Sequence, residues 1–136
     1  MAETLHNTFK FPKDNIHLCL DGAATRTKIL EAYLAFARNG TAPDDRLVVF
    51  FAGHGHTERA SRGPVGFLVP CDGDVHNLAS LIRWDELTRN ADLIEAKHIL
   101  FVMEACYGGL ALMRGIAPGS KRFLKDMLIR RSRQVN

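Results

Sequence analysis

Apolar residues fall along this chain in two arrangements. Leu47-Val48-Val49-Phe50-Phe51 and Ile99-Leu100-Phe101-Val102-Met103, the second opened by His98, are continuous runs. Runs of that length, rich in Val, Ile and Phe, predict strands of a parallel sheet covered on both faces. Ile16-His17-Leu18-Cys19-Leu20 reads as another strand, ended by Asp21-Gly22, and Val65 to Pro70 as a short one. Elsewhere the apolar positions recur at helical spacing. Ile29, Leu30, Tyr33, Leu34 and Ala37 predict a helix from about Thr25 to Arg38, with Asn39-Gly40 as its stop. Residues 84–90 have helical patterning with acids in the first turn, where the helix dipole favours them. Phe123, Leu124, Met127 and Leu128 mark a third helix near the C-terminus. A strand, a helix and a strand of these lengths imply parallel neighbours joined by a right-handed crossover. Residues 1–14 carry no pattern and read as an unstructured arm. Residues 55–64, with Gly, Ser and Arg, read as a flexible loop at a cleft rim.

The chemistry sits where the two apolar runs end. Phe51-Ala52-Gly53-His54-Gly55 closes one, and Glu104-Ala105-Cys106-Tyr107-Gly108-Gly109 closes the other. Open parallel sheets carry their reactive groups outside the carboxyl ends of the strands, so His54 and Cys106 are expected at one edge. A thiolate attacks a carbonyl far better than a thiol, and a nearby imidazole can take the proton. Cys106 is therefore the expected nucleophile, and His54 the base that later serves as acid. Glycines 108 and 109 allow a tight turn and close approach of a substrate backbone. Glu104 precedes the nucleophile by two positions and shares its strand face.

These segments resemble the caspase-type cysteine peptidases, and the metacaspase and bacterial branch more than the animal caspases. The family places its His roughly 50 residues before its Cys; here they are residues 54 and 106. Pro43-Asp44-Asp45-Arg46, residues 66–73, and the stretch from Arg114-Gly115 through Arg130-Arg131-Ser132-Arg133-Gln134-Val135 are similar to family segments, so the resemblance runs from about Ile16 onward. It implies an α/β fold, a three-layer α/β/α sandwich on a mostly parallel sheet, in one domain over residues 1–136. The family's first strand and helix are not recognisable before Ile16, and its pocket-completing strands would follow Val135, so the sandwich is expected to be incomplete at both ends. The resemblance also implies a His–Cys dyad with no acidic third member and an oxyanion held by the backbone N–H groups of Gly55 and Cys106. In metacaspase-like members an Asp at the position of Glu104 attracts Arg or Lys at the cleaved residue, which implies cleavage after a basic residue. Ala52 stands where many metacaspases carry Ser. The runner-up reading keeps the fold as a non-catalytic adaptor or regulatory module.

Composition narrows the rest. Apolar content of 46% and charged content of 24% are ordinary for a globular domain. No apolar run is long enough for a membrane span, and the N-terminus lacks a signal peptide's apolar centre. Three Cys without a Cys-x-x-Cys pair fit a reducing, cytoplasmic setting. Net charge is +3, with Lys121, Arg122, Lys125, Arg130, Arg131 and Arg133 concentrated at the end. Without interleaved aromatics that cluster reads as a solvated helix face, so neither nucleic acid nor membrane is expected as a partner. No Gly-rich phosphate loop follows the first strand, which excludes a nucleotide-binding α/β domain. His54 and His56 form a His-x-His, but with Cys71 or Cys106 the spacing matches no zinc pattern. Asp72 and Asp74 alone do not make a calcium site. No metal or other cofactor is expected. The expected partner is a protein or peptide substrate, and unpaired strand edges predict self-association or a second chain completing the sheet.

Overall fold

A computed structural model of the chain describes residues 1–38 and 40–106, residue 106 by its backbone. Helix α1 spans Ala2–Asn7, α2 Arg26–Ala35 and α3 Trp84–Asn90; strand β1 spans Arg46–Ala60, β2 Gly63–Val69, β3 Ile82–Arg83 and β4 His98–Cys106. The four strands form one sheet in the order β3-β2-β1-β4. It is a mixed sheet, in which β1 pairs with β4 in parallel, while β1 with β2 and β2 with β3 are antiparallel.

The two continuous apolar runs become the lower half of β1 and the length of β4. Their alternate residues separate the two faces. Leu47, Val49, Phe51, Ile99, Phe101 and Met103 join one core with Leu68 and Ile82. Both longer helices cover this face. From α2 come Tyr33, Ile29, Leu30 and Leu34, and from α3 come Trp84 and Leu87. Thr25 caps α2, its side chain accepting from the N–H of Lys28. Trp84 meets the ring of Phe101 edge-on at 5.4 Å, and the buried Tyr33 hydroxyl donates to the Leu87 carbonyl at 2.8 Å. Burial, with the Asp92 charge adding to it, pushes the Tyr33 phenol well above its ordinary value.

Arg26 ties the start of α2 to three other places in the chain. Its N–H donates to Asp72 at 2.8 Å, its Nε to the Leu81 carbonyl at 3.0 Å, and its Nη2 lies 3.4 Å from Glu86 of α3. The ion pair is about one-third exposed on both sides and contributes about 0–1 kcal/mol. The bonds to the Asp72 carboxylate and the Leu81 carbonyl, both shorter, do more to set the helix position.

Several expectations are corrected. Residues Ala2–Asn7 are helical, with the His6 ring 2.8 Å from the Phe11 carbonyl, so the N-terminal arm has local structure. None of the helix is buried, however, so it contributes nothing to the core. Residues 16–20 form no strand. The segment passes beside α2, His17 against Phe36 at 5.5 Å, but pairs with no strand among the described residues. Leu18 and Leu20 stay 59% and 61% exposed. An extended segment becomes a strand only when a ladder satisfies its backbone. Residues 55–60, expected as loop, continue β1 and return through a two-residue turn at Ser61-Arg62 into β2. Gly63 closes that turn at φ +115°, a conformation that favours glycine.

The described helices cover one face of the sheet. On the other, Val48, Phe50, Leu100 and Val102 alternate with the core residues, and Phe50 and Leu100 are each 36% exposed. The third expected helix and the turn at residues 107–109 lie outside the described residues. No helix among those described is long and apolar enough to cross a membrane.

Candidate active site

The parallel ladder between β1 and β4 runs from Arg46↔His98 to His54↔Cys106, nine consecutive pairs. It pairs Leu47 with Ile99, Val49 with Phe101 and Phe51 with Met103, so one register buries every core-facing apolar residue of both runs. Slipping it by one residue would turn an entire apolar set to the wrong face. That constraint fixes the two chain ends as well. Positions 54 and 106 close the ladder side by side, at the roughly 5 Å spacing of neighbouring strands.

His54 is exposed at this end and lies on the face opposite the helices. Glu104, also exposed, registers with Ala52 two residue pairs before His54↔Cys106. Positions 52 and 54 of β1 and 104 and 106 of β4 therefore share one face at the end of the parallel ladder. Gly55 follows His54 directly and pairs with Leu68 of β2. Gly53 has a role the sequence did not disclose. A Cβ there would stand 2.9 Å from the Phe51 ring, so the bare backbone lets that core ring close under the strand beside His54.

Two further residues belong to this face. The His56 Nε2 lies 2.8 Å from a Glu58 carboxylate oxygen, and the His56 ring sits 6.3 Å from that of Phe67 on β2. His54, His56 and Glu58 alternate along β1, so all three occupy the face that carries positions 54 and 106. Reading residues 55–64 as loop concealed Glu58. The alternation His-x-His-x-Glu was the signal available, because in a strand it gathers three polar side chains on one side.

Other residues considered from the sequence are placed elsewhere. Asp72 accepts the Arg26 N–H, and Asp74 accepts the His76 N–H at 2.9 Å, so both serve the turn after β2. The Cys71 thiol lies 3.4 Å from the Gly22 carbonyl, and that of Cys19 4.0 Å from the Lys28 carbonyl. Both are free. Among the described residues no three His, Cys, Asp or Glu side chains gather as metal ligands.

The family model of the caspase domain, peptidase family C14, covers residues 1–134. No curated protein and no solved structure matches the chain.

Proposed function

This chain belongs to the caspase-domain family of peptidases, and from that membership we propose that it is a cysteine endopeptidase working through His54 and Cys106. The observation that supports this most directly is the register that ends β1 and β4 on those two positions. Adjacent positions on neighbouring strands are what a proton transfer between a thiol and an imidazole requires of the backbone.

In the proposed reaction His54 takes the Cys106 proton as sulfur attacks the carbonyl carbon of the scissile peptide. The negative charge on the former carbonyl oxygen is held by the N–H groups of Gly55 and Cys106. Collapse breaks the C–N bond, and the protonated His54 gives its proton to the leaving amine. Water, deprotonated by His54, then attacks the thioester, releasing the carboxylic acid product and restoring the thiol. Glu104, exposed on the same face two register pairs away, supports cleavage after Arg or Lys, whose charge it would meet.

Iodoacetamide labelling at neutral pH tests the dyad without a substrate. Cys106 is expected to react ahead of Cys19 and Cys71, and His54→Ala to slow it. Equal, slow labelling of all three thiols would overturn the enzymatic reading and leave a non-catalytic binding module. A panel of fluorogenic peptides tests the cleavage preference; faster release after Asp than after Arg would refute the role of Glu104.

A further inference from the structure

On the peptidase reading, a substrate chain crossing the dyad has one side toward Glu104 and the other toward the far end of β1. The register fixes which residues lie on each side. Glu104 is level with Ala52, two positions before His54. His56 and Glu58 lie two and four positions after it, on the same face. At about 3.3 Å of strand per residue, they stand about 7 Å and 13 Å beyond His54. If the residue before the cleaved bond meets Glu104, the residues after it pass over His56 and Glu58.

We propose that His56 and Glu58 form the leaving-group side of the peptide cleft and take a peptide with Lys or Arg just after the cleaved bond. Three observations carry this. The pair is built: the His56 Nε2 is 2.8 Å from Glu58, and Phe67 flanks the ring. It is reachable, since His56 keeps 25% and Glu58 45% of its side chain exposed. Its charge is suited to a cation. An ionised carboxylate can only accept, so the imidazole nitrogen facing it carries a proton. That contact uses one carboxylate oxygen and leaves the other able to accept from an incoming ammonium or guanidinium. Strand β2 backs this part of β1 through the pairs His56↔Phe67 and Glu58↔Val65, so the two side chains stand on a two-stranded ladder. Together with Glu104 they place a carboxylate on each side of the bond to be cut, which favours peptides basic on both sides.

The test uses the full chain and internally quenched peptides with Arg before the cleaved bond and Lys, Ala or Asp after it. The native enzyme is expected to turn over the Lys peptide about tenfold faster in kcat/KM than the Asp peptide, a factor set by about 1.4 kcal/mol. Glu58→Gln should bring that ratio to within about twofold of unity. His56→Ala should raise it, because Glu58 loses the imidazole N–H that partly offsets its charge. Binding of the same peptides to the Cys106→Ala chain, read by fluorescence anisotropy, gives the ratio where turnover is slow. A native chain that treats Lys and Asp alike, or a Glu58→Gln variant that keeps the native ratio, overturns the subsite. The iodoacetamide comparison of native and His54→Ala chains is read separately. Selective labelling of Cys106 without discrimination among the peptides sinks the subsite alone, whereas unselective labelling sinks the peptidase reading.

Discussion

Tyr33→Phe removes one hydroxyl from the core and almost nothing else, so its effect can be worked through in two pH ranges. Tyr33 is buried between α2 and α3, and its hydroxyl donates to the Leu87 carbonyl at 2.8 Å. That carbonyl also accepts the N–H of Ala91 at the end of α3. Losing the hydroxyl therefore leaves it one partner. The cost should be near the net worth of an ordinary hydrogen bond, about 1 kcal/mol, and not the larger penalty of an orphaned buried acceptor. Above pH 10 a second effect enters. The phenol's ordinary value is 10.0, and burial with the Asp92 charge raises it in the folded chain. The folded state then keeps a proton that the unfolded chain has released. This contribution is fully present below about pH 10 and is lost as pH rises, at about 1.4 kcal/mol per unit, until the folded phenol itself titrates.

Phe has no proton to lose, so the variant escapes that decline. Every other group is common to both chains, so its contribution largely cancels in the difference. The variant should be less stable by about 1 kcal/mol below pH 10 and equal to the native chain about one pH unit higher. Beyond that it should be the more stable of the two. Urea unfolding followed by the fluorescence of Trp84, the single tryptophan, measures the difference at each pH. A difference that stays constant from neutral pH through the crossing region would refute the reasoning, since it would mean the phenol titrates alike in both states.

Two other outcomes follow from the packing and the strand edges. Ile82, 0% exposed at the centre of the core, should cost about 2–5 kcal/mol on replacement by Ala, seen as a lower urea midpoint with an unchanged slope. Among the described residues, 46–53 of β1 pair only with β4, and β2 joins from His54 onward. We therefore expect the purified chain to self-associate through its unpaired edge; a monodisperse monomer by light scattering at all concentrations would refute this.

Much of the scaffold was legible from spacing alone, and the reason is that helices satisfy their own backbone within four residues. Ile29, Leu30, Tyr33 and Leu34 announced α2, and the acids after Trp84 announced α3, because the pattern and the hydrogen bonds occupy the same stretch of chain. The two apolar runs were equally plain, since neither is broken by a polar position, although the described helices cover only one of their faces and Phe50 and Leu100 stay exposed on the other. What spacing could not supply was a partner. Residues 16–20 look like a strand and are not one here, since no described strand pairs with them. Residues 55–60 look like a loop and become a strand because residues 63–69 return to pair with them.

The sequence by itself determined the residue types: a His and a Cys, each closing an apolar run, with a Glu two places before the Cys. Only the tertiary structure decided the register that makes positions 54 and 106 neighbours and sets Glu104 before that pair and Glu58 beyond it. A ladder joins residues far apart in the chain, and its alignment is settled by which offset buries both apolar sets against α2 and α3 at once. That choice belongs to the folded assembly and is written in no single segment.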